Sequence, residues 1–138
     1  MNEPLWDAIW REDVEEVRCH LEQPLDLNLQ ASNGYTALMQ ATEMENIEIA
    51  ELLIFKGAVI NGQGYEGATP LHIAVDISID GTIQNGGELG EEPIGFISFL
   101  LKNGADQSIK DKNGKTALDW AISYKPKKII GLLTSANT

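Results

Sequence analysis

No lysine or arginine falls between Lys56 and Lys102, and the 138-residue chain has 10 basic against 21 acidic side chains, a formal net charge of -11. This scarcity argues against a nucleic-acid binder, because phosphate neutralisation needs Lys and Arg gathered on one face. Cys19 is the one cysteine, so no intramolecular disulfide framework forms. The longest apolar run beside a helical pattern, Ile94 to Leu101, is broken by Gly95 and Ser98 and is far too short to span a bilayer. The opening residues, Met1 to Trp6, lack the basic-then-apolar order of a secretory signal. The expectation is a cytoplasmic protein that engages neither nucleic acid nor membrane.

What the chain does have is the composition of one folded domain. A hydrophobic fraction of 43% is too high for a disordered acidic tail, and the length is enough to bury a core. The charge is unevenly placed. Residues 1–101 hold 18 acidic and 3 basic side chains, whereas residues 102–138 hold 3 acidic and 7 basic ones. A long face of negative potential is expected over the first of these segments.

The sequence also repeats. Gly34-Tyr35-Thr36-Ala37-Leu38-Met39-Gln40-Ala41 recurs as Gly67-Ala68-Thr69-Pro70-Leu71-His72-Ile73-Ala74, and again, after a longer interval, as Gly114-Lys115-Thr116-Ala117-Leu118-Asp119-Trp120-Ala121. A second element precedes each block at one constant offset: Pro24 to Asn28, Gly57 to Asn61 and Gly104 to Ser108. Thr36, Thr69 and Thr116 stand before apolar helical segments, where a hydroxyl accepts from a free first-turn N–H. Pro70 suits a first helical position. Ile47, Ala50, Leu53 and Ile54 recur at helical spacing and are expected to fill the stacking core. Gly57 and Gly104 suit left-handed caps, while Pro24 departs from that pattern. Asn113-Gly114 carries the signal of a tight tip.

These blocks resemble the ankyrin repeat, through Thr69-Pro70-Leu71-His72-Ile73-Ala74, Leu52-Leu53, Leu100-Leu101 and Gly104-Ala105-Asp106. A period of about 33 residues belongs to that family, and the interval from Gly34 to Gly67 agrees with it. The resemblance implies an all-α solenoid of stacked helix-turn-helix units with hairpin-like loops, forming one domain over residues 1–138. Four units are expected, at about 1–33, 34–66, 67–113 and 114–138. Trp6, Trp10, Glu12, Asp13, Glu15, Glu16 and Arg18 are expected to give the first unit an exposed charged face, and Lys125, Lys127 and Lys128 the last. Glu16 and His20 fall at usually apolar positions, so the first unit is expected to pack less regularly than the second.

The interval from Gly67 to Gly114 exceeds that from Gly34 to Gly67, which places an insertion at 78–91 within the third unit. Its four glycines predict a loop, and loops of this kind often carry binding surface. Asp76, Ser78, Asp80 and Gly81 echo the first half of a calcium loop, yet the twelfth position is Gly87 rather than a bidentate Glu, so no metal site is expected. His72 reads as a structural histidine that holds the turn. Cys19 and His20 are adjacent and cannot face each other on a helix. No phosphate-cradling glycine loop, metal-spaced cluster or Ser-His-Asp arrangement is present, so neither an enzyme nor a cofactor is expected.

Recognition by surface remains. The resemblance implies a concave wall made of hairpin tips and first-helix faces. It places Trp10 there from the first unit and Tyr35, Glu43 and Met44 from the second. The third contributes Tyr65, Glu66, Asp76 and Ile77, and the fourth Tyr124. Aromatic residues suit interface anchors because they bury much area at little rotamer cost. Acidic residues of the insertion, Asp80, Glu88 and Glu91, add to the negative surface. A basic protein partner follows, with the chain expected to be monomeric when free. Small acidic ankyrin proteins look like bacterial immunity proteins that occupy a toxin's active face, which makes an inhibitor one expected role and a regulatory adaptor or scaffold the other.

Overall fold

A computed structural model describes residues 4–23, 26–84 and 95–122, with backbone alone for 79–84 and 121–122. Among these residues, seven α-helices run in chain order: α1 (Pro4–Trp10), α2 (Val14–Leu21), α3 (Ala37–Glu43), α4 (Ile47–Phe55), α5 (Pro70–Gln84), α6 (Gly95–Lys102) and α7 (Ala117–Ile122). A 3-10 turn at Tyr65–Gly67 precedes α5, and no strand is present among the described residues. None of the described helices is long and apolar enough to cross a membrane.

Hydrogen-bonding chemistry sets the helix boundaries. The Thr36 hydroxyl accepts from Met39 N–H at 3.2 Å and the Thr116 hydroxyl from Asp119 N–H at 3.2 Å. Thr69 does the same for His72 N–H at 3.4 Å. The second helices start on carboxylate or amide caps, with Asp13 accepting from Glu16 N–H and Asn46 from Ile49 N–H. At the end of α4, Gly57 takes a left-handed φ of 105° while Ala58 N–H donates back to Leu53 C=O, and Gly104 and Ala105 repeat this after α6 with Leu100 as acceptor. Both are Schellman closures. The first helices close in the same way on non-glycine residues: Glu12 and Glu45 hold φ of 55° and 53° while Asp13 and Asn46 donate back to Ala8 and Ala41.

Packing then builds two rows. Helices α1, α3, α5 and α7 contact one another in succession, α2 packs on α4 behind them, and α5 also packs on α6. Small residues at one register, Ala8, Ala41 and Ala74, let the first row approach closely and are almost wholly buried. Ile49, Ala50 and Leu53 on α4 and Ile97 and Leu100 on α6 complete the core. This is the all-α stack of helix pairs that the repeat pattern predicts.

Several expectations change. Ile47 is 39% exposed, and Ile49 occupies the core instead, because α4 starts on the Asn46 cap and turns position 49 inward. The first pair is not irregular: Val17 is buried like Ala50 and Ile97, Leu21 is buried as well, and the half-buried Glu16 and His20 join through a 3.6 Å contact. Arg11 ties that end together by pairing with Glu16 at 2.6 Å, Asp7 at 3.1 Å and Asp13 at 3.6 Å. Trp6, expected on the exposed charged face, is half-buried against the core.

The expected loop is corrected in its first half. Helix α5 continues through Ser78 and Gly81 to Gln84, whereas α3 ends at Glu43, the position equivalent to Asp76. The additional residues, 77–84, project the backbone about 12 Å beyond the end of the neighbouring first helix. Asp76 to Gly81 therefore lies within continuous helix, which is not the turning backbone that a calcium loop requires. Residues 85–91 of the insertion, with Glu88 and Glu91, lie outside the described residues, as do Pro24 and Tyr124.

Candidate functional site

Three tips of identical design carry the surface. Ala31 N–H donates to Tyr35 C=O at 2.8 Å, Gly64 N–H to Ala68 C=O at 2.9 Å, and Asp111 N–H to Lys115 C=O at 2.8 Å. Gly34, Gly67 and Gly114 turn each tip with positive φ. Gly67 also permits contact with the next tip, since a Cβ there would sit 2.7 Å from Lys112 N. Asn28 and Asn61 join successive units, accepting from Val59 N–H at 3.1 Å and Asp106 N–H at 2.7 Å.

The carbonyls that close the first and third tips each take a ring N–H from the helix pair before them. His72 Nδ1 accepts from Thr69 N–H at 3.1 Å, so Nε2 carries the proton and donates to Lys115 C=O at 2.9 Å. This is the structural role read for His72 from the sequence. Trp6 occupies the equivalent register two periods earlier, and its indole N–H donates to Tyr35 C=O at 3.0 Å. The in-frame Pro4-Leu5-Trp6, against Pro70-Leu71-His72, is the sequence signal that identifies this role. At the middle register stands Met39, fully buried, whose sulfur lies against the Gly64 backbone. Trp120 adds a ring contact with His72 at 5.0 Å and donates its indole N–H to Asp111 at 2.9 Å.

These tips bring together the middle of the expected wall. Tyr35 and Tyr65 meet edge to face, with ring centroids 6.1 Å apart and planes at 62°. The Tyr65 ring rests beside Gly34 and is half exposed. Glu43, the last residue of α3, accepts from the Tyr35 hydroxyl at 3.4 Å, and Asp76 follows at the same register on α5, also exposed. Burial first, then the charge and hydrogen bond of Glu43 and the charge of Asp76, push the Tyr35 phenol up to about 12. It therefore remains a protonated donor at neutral pH.

The other expected wall residues divide. Trp10 ends α1 and is 62% exposed. Met44 packs against the main core and Ile77 against Met39, Ala68 and Ile73, so both are half-buried supports. Glu66 sits in the left-handed region at φ 56° and pairs with Lys112, whose N–H also donates to Glu66 C=O at 3.0 Å. The Asp80 backbone lies one helical turn beyond Asp76. A cleft of about 170 Å³ opens elsewhere, between the α3–α4 turn and α5–α6, and is lined by Thr42, Glu45, Ile47, Ser78 and Phe96 among others. None of the wall tyrosines lines it.

Residues 5–80 match a family model described as ankyrin repeats (3 copies), and residues 66–112 match one described as ankyrin repeat. Among curated relatives, the ankyrin repeat protein FPV031 of fowlpox virus (strain NVSL) is 31% identical over 161 residues, covering 97% of this chain and 47% of its own. The fowlpox protein FPV034 is 26% identical over 130 residues, covering 94% and 27%. An ankyrin repeat-containing protein of Treponema pallidum (strain Nichols) is 30% identical over 133 residues, covering 94% and 40%. The chain thus spans less than half the length of each of these relatives.

Proposed function

Because the chain belongs to the ankyrin-repeat family, we propose that it is a non-catalytic protein-binding module, monomeric when free, whose concave wall captures a basic protein. One observation carries this reading: Tyr35, Tyr65, Glu43 and Asp76 converge on one face, with two aromatic anchors inside a negative field. The absence of any basic residue between Lys56 and Lys102 leaves that field without a cation from the intervening sequence. Such a field steers encounter and rejects acidic competitors more than it raises intrinsic affinity.

The specific role we assign is that of an inhibitor of the immunity-protein type, which covers the working face of a basic partner such as a toxin. The extended α5, standing proud of the stack, supports it by offering an element able to enter a concave partner. The second reading, an adaptor or scaffold, is favoured by the relatives, in which the matching segment is 27% to 47% of a longer chain. Affinity capture from the source cell, followed by binding kinetics at several salt concentrations, tests both. The inhibitor reading expects a one-to-one complex with a basic protein, an association rate that falls steeply with salt, and loss of the partner's activity. Capture of an acidic protein, or an association rate indifferent to salt, overturns it. A single complex holding two partners at once establishes the adaptor instead.

A further inference from the structure

We propose that the Tyr35–Tyr65 corner, with Glu43 and Asp76 beside it, is a docking surface for an arginine side chain presented by the partner. This rests on the basic-partner reading and names the group that the wall recognises. The two rings stand at 62°, edge to face; Tyr35 is half-buried against Met39, Ala68 and Ile73, so the exposed Tyr65 ring is the one offered to a flat cation. Tyr65 is 49% exposed, and Glu43 and Asp76 are both exposed, so the surface is accessible.

The charges converge on this corner. Glu43 closes α3 with no basic residue in the last turn, so its carboxylate adds to the negative end of the helix rather than offsetting it. Its bond from the Tyr35 hydroxyl fixes the ring relative to the carboxylate. Asp76 acts on the same hydroxyl from the neighbouring helix. Lys112, a cation of the neighbouring tip, is held by Glu66.

Guanidinium fits this corner better than ammonium does. It is planar, stacks on aromatic faces, is weakly hydrated and offers a fork of N–H donors to carboxylates. A lysine ammonium is a compact, strongly hydrated charge that gains the carboxylates but little from the rings. The surface is therefore selective for arginine over lysine, whereas a wall acting by charge alone treats the two alike.

The test uses the full chain and three blocked peptides, acetyl-Gly-Arg-Gly-Gly-Arg-Gly-amide and its lysine and citrulline counterparts, titrated at low salt while tyrosine ring resonances are followed by NMR. The arginine peptide is expected to shift the Tyr35 and Tyr65 ring signals and to bind about fivefold or more tighter than the lysine peptide, with the neutral citrulline peptide silent. Glu43→Gln with Asp76→Asn is expected to weaken the arginine peptide about tenfold. Tyr65→Leu is expected to abolish the preference and Tyr65→Phe to keep it, with each variant's melting curve serving as the control for folding. Equal affinity for the two cationic peptides overturns the arginine site and leaves the basic-partner reading standing. Binding of neither cationic peptide overturns both. An arginine preference that survives Tyr65→Leu in a folded variant places recognition elsewhere and overturns the site.

Discussion

The two outer junctions of the stack solve one problem with different chemistry. At the first, the Trp6 indole reaches Tyr35 C=O, and α2 carries the half-buried pair Glu16 and His20. At the last, His72 links Thr69 to Lys115 C=O, and Leu53 and Leu100 fill the positions that correspond to His20. The comparison shows that an indole or an imidazole can supply the same ring N–H, while Met39 at the middle register, whose side chain has no N–H to give, fills the place by packing alone. A ring N–H aimed at the next tip satisfies the carbonyl whether it belongs to an indole or an imidazole. An apolar side chain is required only where a preceding helix covers it, as α2 covers α4.

Exchanging equivalent residues breaks this comparison most sharply. Leu53→Ala is expected to cost about 2–5 kcal/mol, because Leu53 is fully buried and the stack collapses only partly around the void. His20→Ala, at the same register, is expected to cost less than about 1 kcal/mol, since His20 is half-buried and its Nε2 has no hydrogen-bond partner among the described residues to lose. Urea unfolding of both variants measures the contrast. Equal losses would show that α2 is covered like α4.

The ring linkages give the next effect. His72→Phe removes both ring nitrogens, leaving the buried Thr69 N–H unserved and the part-buried Lys115 C=O without its ring donor, and is expected to cost about 2–3 kcal/mol. Trp6→Phe removes one bond to a carbonyl that Ala31 N–H also serves, so about 1 kcal/mol is expected. A larger loss for Trp6→Phe than for His72→Phe would reverse the ranking of the two junctions.

Acid gives the smallest effect and sharpens the comparison at the last junction alone. Burial opposes ionisation of Asp111, yet hydrogen bonds from Lys115 N–H, the Trp120 indole and Asn113 N–H hold its carboxyl below the usual range. Its folded-state pKa lies below its unfolded one, so its contribution is present above the unfolded value and is lost as pH falls through the folded one. Stability measured below about pH 4 is expected to fall more steeply for the native chain than for Asp111→Asn. Parallel acid limbs would remove Asp111 from the account.

Much of the fold was legible because it rests on local rules. Thr36 and Thr116 cap helices, and Gly57 and Gly104 take left-handed closures, since each needs only its own neighbours along the chain. The core was read less well where periodicity alone decided it: Ile47 and Ile49 are equally apolar, and the Asn46 cap determines which one turns inward. The insertion misled because four glycines argue for a loop, while Ile77, packed on Ala68 and Ile73, carries the helix on. The register also placed side chains: Tyr35, Tyr65, Glu43 and Asp76 lie together as it implies, whereas the packing of Met44 and Ile77 on the core and the pairing of Glu66 with Lys112 depend on contacts between units.

By itself, then, the sequence determined the helix pairs, their period, their caps and the acidic character of the middle of the chain, because spacing and composition are properties of the linear chain. Only the tertiary structure decided that Trp6 stands in for a histidine, that Glu16 and His20 meet half-buried on α2, and that two tyrosines from successive tips form one corner with two carboxylates. Those outcomes depend on which helix or tip stacks on which face, and stacking is a relation between units that no single unit encodes.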